Sequence, residues 1–215
     1  RDLMKFLLRL SSYVFHPLWM PFFGSLFYFI FIPRYFPDEI VKAKLMAIAI
    51  ITIFIPVVFY FLLKNLGKAE SVFLEKVEER RWPLFFFCLL ILMVLHQILN
   101  FYNYPGLYYY FAGILISTLL AYTLSWFRLK VSLHMMGITG LLMFVTGFCI
   151  YFHLYYIYTV AFLIIACGLT ASSRLYFKAH TSSELWAGSL LGLGPQLLLF
   201  NLWFTEYRMS DLFLR

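Results

Sequence analysis

A chain of 215 residues that is 63% hydrophobic and 22% aromatic, with 13% charged residues, is not a soluble domain, in which about 25% of residues are charged. Its net charge of +7 is spread over short polar stretches and not gathered in an exposed domain, which argues against nucleic acid as a partner and for anionic membrane lipid. Cys88, Cys149 and Cys167 each lie alone in an apolar run with no close pair or histidine at metal-ligand spacing, so disulfides, thiolate metal sites and bound cofactors are not expected.

The chain opens on RDLMKFLLRLSSYVF, where Arg1, Lys5 and Arg9 recur every four residues between leucines, the pattern of a basic amphipathic turn lying on a membrane surface. No segment combines a short apolar core with a small-residue cleavage site, so this turn is expected to stay attached. Runs long enough to cross a hydrocarbon layer, about 17 to 25 residues each, follow near 14–32, 45–63, 83–100, 107–127, 133–151, 154–171 and 185–204. They predict an all-α polytopic membrane bundle of six or seven transmembrane helices, a single integral membrane domain over 1–215. Internal repeats, low-complexity tracts and soluble insertions are absent.

Three polar stations interrupt the apolar runs: KNLGKAESVFLEKVEERRWP at 64–83, FRLKVSLHMMG at 127–137 and SSRLYFKAHTSSE at 172–184. An even number of spans separates successive stations, so all three return to one face of the membrane. The connections near 101–106 and 151–153 hold no Lys, Arg, Asp or Glu. A charge at the bilayer centre costs roughly 2.5 to 3.5 kcal/mol, so Arg174, Lys178, His180 and Glu184 require either water or work inside the protein. His180 and Glu184, four residues apart, share a helical face, close enough for the carboxylate to hold one imidazole nitrogen. Arg174, six residues before His180, converges with it only if the chain bends between them. Thr181 to Glu184 equally fits the S/T-x-x-E capping box of a helix start. In GSLLG, Gly188 and Gly192 suit close helix packing.

SRLYFKAHTSSE, of the form SRxxxxxHxxxE, closely resembles the third signature, SRxxxxxHxxxD, of the type 2 phosphatidic acid phosphatase superfamily of membrane lipid phosphatases. VSLH, Val131 to His134, resembles its second signature, PSGH, keeping Ser132 and His134, and KVEERRWP, Lys76 to Pro83, approximates its first, KxxxxxxRP. The resemblance covers a core within 65–204 and leaves 1–64 as helices without a signature. It implies a metal-independent phosphohistidine enzyme acting on a lipid phosphate or pyrophosphate in a bacterial inner membrane. His180 would be the nucleophile, Glu184 its orienting partner and His134 the acid that protonates the leaving group. Lys76, Arg81 and Arg174 would hold the phosphoryl oxygens, with Arg80 as the alternative to Arg81 and Ser132 beside them. Glutamate in place of aspartate and the lost proline and glycine of PSGH leave a second reading, a non-catalytic accessory subunit with the same scaffold. A protein partner or a second copy of the chain stays open.

His96 and Gln97 in VLHQILN read as hydrogen-bonding groups between helices, and His16 and His153 as interfacial residues without a role. The aromatic run YNYPGLYYYF at 102–111 fits an interfacial belt. Twelve Lys and Arg fall on the station side against five opposite, which favours a cytoplasmic site. Since phosphate-binding residues are basic on either side, the count does not fix the face.

Overall fold

The computed structural model describes residues 2–68 and 76–213, with the side chains of 203–213 outside the description, as is Arg1 of the basic turn. All regular structure among the described residues is helical. Helix α1, Asp2–Val14, has its acidic residue in the first turn and buries Leu8, Ser11 and Ser12. It stops at His16, whose φ of −68° and ψ of 138° are the extended geometry that a following proline imposes, and Pro17 opens a short 3-10 turn. Helix α2, Met20–Phe31, then continues at a 43° bend, so α1 and α2 form one bent helix pair.

Helix α3, Asp38–Ala49, carries Asp38 and Glu39 at its positive N-terminal end and runs into α4, Ile55–Asn65, as one 28-residue rod. A π-turn at Ile50–Phe54 joins them just before Pro56, a residue that has no N–H to give to the helical ladder. Helix α5, Arg81–Met93, is entered through a 3-10 turn at Glu78–Arg80 and left through a second π-turn at Val94–Ile98, where Lys44 Nζ donates to the Ile98 carbonyl. Four long helices complete the chain: α6, Pro105–Trp126; α7, Leu133–Tyr151; α8, Ile157–Tyr176; and α9, Ser182–Phe213. Six helices are long and apolar enough to cross a membrane, or seven with the bent α1–α2 pair, and large apolar side chains such as Phe54, Val58, Phe162 and Ile165 stay exposed on the outside. The protein is an integral membrane protein.

Helix α7 is the most enclosed span and packs against α2, α6, α8 and α9. Tyr110 stacks on Phe144 at 4.2 Å and donates to the Met20 carbonyl at 2.8 Å, while Tyr28 and Phe27 meet Phe148 edge-on. Gly188 and Gly192 allow α9 to lie directly on α7. A Cβ at Gly192 would strike Met136 O and Thr139 Oγ1, and Thr139 Oγ1 bonds the Ser189 carbonyl at 3.2 Å. Because the α6–α7 and α8–α9 connections are short, the C-termini of α6 and α8 and the N-termini of α5, α7 and α9 share one face. At the other face Arg34 donates to the Asn103 carbonyl at 3.1 Å, holding the end of α2 beside the α5–α6 connection.

Candidate active site

The α8–α9 connection makes the bend that Arg174 and His180 need. Lys178 takes φ of 51°, the left-handed conformation that closes many helices; its N–H donates to Leu175 O at 3.0 Å and that of Ala179 to Arg174 O at 3.0 Å. The chain therefore reverses within three residues, and both side chains enter one cavity. At the start of α9 the two readings of TSSE are fulfilled by different residues. Thr181 Oγ1 accepts from Glu184 N at 3.4 Å as a cap, whereas the Glu184 carboxylate reaches back to His180 Nδ1 at 2.6 Å.

A carboxylate oxygen accepts, so His180 carries its proton on Nδ1 and leaves Nε2 with a lone pair. Burial pushes the imidazole down to about 4, with the charges of Arg80 and Lys130 acting in the same direction and the Glu184 bond opposing them. The ring is neutral at physiological pH, which is the form a nucleophile or base requires.

His134, on the first turn of α7, is buried, and its Nε2–H donates to the Ser12 carbonyl at 3.2 Å. Its ring stands edge-on to His16 at 5.0 Å. The N-terminus of α7 is fixed to α9 by the Ser132 N–H, which donates to Glu184 O at 3.1 Å. Ser132, expected beside the phosphate, is instead fully buried as the N-cap of α7, its Oγ accepting from Met135 N at 3.4 Å, and it does not line the cavity. The serine of the VSLH motif is a structural cap here.

The cations divide in the same way. Arg80 is 5% exposed, lines the cavity and donates from Nη1 to Val131 O at 2.8 Å. Arg81, the arginine preferred from the signature, turns away, bonding Ser125 O at 3.2 Å and lying 4.4 Å over the Trp126 ring. Consecutive residues leave a helical turn in different directions, and the 3-10 turn at Glu78–Arg80 aims the earlier one inward. The Lys76 side chain is 58% exposed, 3.9 Å from Glu79 and outside the cavity lining. Arg174 is buried and lines the cavity, with Nη2 donating to Ser12 Oγ.

Arg80, His134, Arg174 and His180 share the lining of a cavity of about 710 Å³ with the apolar side chains of Val57, Phe59, Phe61, Leu84, Phe86 and Phe87. Three residues at its polar end were not candidates from the sequence. Ser12 arrives from the last turn of α1 and His16 from the break that follows, so the N-terminal segment is part of the cavity wall. Lys130 comes from the α6–α7 connection. The only trace of the first two in the sequence is the polar SSYVFHP at the end of the basic turn, and no spacing rule links it to positions more than a hundred residues away. His96 and Gln97 are exposed on the π-turn that follows α5 and have no part in the cavity.

A neutral imidazole nitrogen facing buried guanidinium groups can attack, or take a proton from, a ligand whose oxygens are anionic. Among the described residues, no three of His, Cys, Asp and Glu converge as a metal-ligand set. Comparison with known proteins finds no matching family model, no similar curated protein and no similar solved structure.

Proposed function

We propose that the protein hydrolyses a phosphate or pyrophosphate monoester carried by a membrane lipid, in a bacterial inner membrane, through a phosphohistidine. The observation that carries this reading is the joining of the His180–Glu184 pair, His134, Arg80 and Arg174 in one cavity whose remaining wall is apolar and aromatic. His180 Nε2 attacks phosphorus, forming an N–P bond as the P–O bond to the lipid breaks. Glu184 holds the Nδ1 proton and steadies the positive charge that the ring acquires. Arg80 and Arg174 offset charge on the transferred phosphoryl oxygens. His134 acts here as the imidazolium, a form that the bound anion favours: with Nε2–H held by the Ser12 carbonyl it gives its Nδ1 proton to the leaving oxygen, and it regains one from the water that cleaves the N–P bond. Water then cleaves the N–P bond, releasing inorganic phosphate and restoring His180. The lipid tail lies along the aromatic wall toward the bilayer.

One observation favours the accessory-subunit reading: Lys76 and Arg81, two of the three cations expected at the phosphate, lie outside the cavity. A single experiment separates the two. The purified protein is incubated in detergent, in chelator, with glycerolipid, polyprenyl and lipid A type phosphates, and inorganic phosphate is measured. Release that vanadate blocks and that His180→Ala abolishes supports the enzyme; no release from any substrate, or release unchanged in His180→Ala, rejects it.

A further inference from the structure

We propose that Lys130 binds the substrate's phosphoryl oxygens, filling the place that the signature resemblance gives to Lys76; the proposal deepens the phosphatase reading and rests on it for the identity of the bound group. Lys130 is half-buried on the α6–α7 connection, and its side chain lines the cavity. Its Nζ donates to the Ala179 carbonyl at 2.9 Å, one residue before His180, so the ammonium is fixed beside the attacking imidazole. That bond uses one of three ammonium protons, and the others are available to an anion. Arg80 braces the same connection by donating to Val131 O at 2.8 Å, which limits how far Lys130 can swing. Lys76 has the opposite setting, exposed and 3.9 Å from a carboxylate. Lys178 also lines the cavity but is exposed, with no comparable anchor for its ammonium among the hydrogen bonds of the loop.

Electrostatics agree with this placement. The groups that act on His180 are Glu184 from α9, Arg80 from the turn before α5, Lys130 from the α6–α7 connection and His134 from α7, and Arg9 and His16 from the N-terminal segment, Arg174 from α8 and Lys178 from the α8–α9 connection share its cavity. The Lys130 charge is among those that disfavour a proton on His180. Removing it raises the proton affinity of His180, an effect that a purely structural lysine, distant from the ring, would not produce.

The test uses the full chain in detergent, with orthophosphate binding followed by calorimetry and the His180 ring titrated by NMR. Lys130→Met should weaken orthophosphate binding about tenfold or more, as loss of a charged hydrogen bond does, and raise the His180 midpoint. Lys130→Arg should retain most of the binding and the midpoint, which also shows that the loop tolerates substitution. Lys76→Met should change neither by more than about twofold. Unaltered binding in Lys130→Met, loss of binding in Lys76→Met instead, or no orthophosphate binding by the wild type overturns the proposal. Binding that depends on Lys130 in a protein that releases phosphate from no lipid supports the Lys130 assignment and rejects the phosphatase reading.

Discussion

Gly188→Ala tests whether the site depends on the direct contact between α7 and α9. An added Cβ would come closer to the Ser132 carbonyl oxygen than van der Waals contact allows and lie 3.1 Å from both the Ser132 carbonyl carbon and nitrogen. These are backbone atoms and cannot rotate aside. Restoring a separation of about 3.5 Å requires α7 to retreat by about 1 Å. The retreat also stretches the bond from Ser132 N to Glu184 O, now 3.1 Å, which ties the start of the His134 helix to the partner of His180. Overpacking costs roughly 1 to 3 kcal/mol and the hydrogen bond about 1 kcal/mol, so the variant should lose about 2 to 4 kcal/mol of stability. Gly168→Ala is the control, because no atom lies within 4 Å of its added Cβ and it sits in the interior of α8. It should be neutral or stabilising by up to about 1 kcal/mol. Thermal unfolding of both variants in the same detergent measures the difference. A displacement near 1 Å between two reacting groups also costs about a hundredfold in turnover, so phosphate release should fall much further in Gly188→Ala than in Gly168→Ala. Equal unfolding temperatures and equal turnover in the two variants would refute the close-contact argument.

Arg80→Ala should lower phosphate release by about 10² to 10³ if its guanidinium stabilises the transition state, while Arg81→Ala should leave turnover nearly intact and lose the stacking on Trp126 and the bond to the Ser125 carbonyl, together about 1 to 2.5 kcal/mol in unfolding; the reverse ranking would restore Arg81 as the phosphate ligand. NMR titration of His180 should find its midpoint near pH 4, far below the ordinary 6.5. The sign for stability follows, since the unfolded chain takes up this proton first as pH falls: the contribution of the buried neutral ring is complete above about 6.5 and erodes as pH drops toward about 4. A midpoint at or above 6.5 would contradict the buried, cation-flanked setting. Ser12→Ala removes a hydroxyl that bonds Arg174 and lies 2.6 Å from Ser173 Oγ, so it should destabilise by roughly 1.5 to 3 kcal/mol, and unaltered unfolding would show that the N-terminal segment is not braced there.

The spans were legible because a helix that faces lipid needs an unbroken apolar run, and each observed membrane helix overlaps a run of that kind. GSLLG announced the α7–α9 contact for an equally simple reason, the room that glycine leaves for another backbone. The reversal between Arg174 and His180 could be required from their spacing but not located, since Lys178 has no glycine-like signal for its positive φ. Arg80 and Arg81 show where reading stops. Both lie within three residues of the same proline, and which one points inward depends on a single 3-10 turn that short-range propensity does not encode. Lys130 was invisible for another reason, since its position is set by the Ala179 carbonyl, a partner 49 residues away that no local pattern reveals.

Ser12 explains why the chain needs its first helix at the site. Its carbonyl fixes the His134 ring, and its hydroxyl meets Arg174, so one residue of α1 touches both α7 and α8. The Ser132–Glu184 bond joins α7 to α9 in turn. The two imidazoles and the two buried guanidiniums are therefore held by a closed ring of contacts running through α1, α7, α8 and α9, with Arg80 attached through Val131. The ring fixes where the buried cations sit, since Arg80 donates to the Val131 carbonyl and Arg174 to the Ser12 hydroxyl. Both guanidiniums and both imidazoles line the same cavity as the apolar Phe59, Phe86 and Phe87, so the proposed substrate, an anion attached to something hydrophobic, meets a suitable group for each of its parts there.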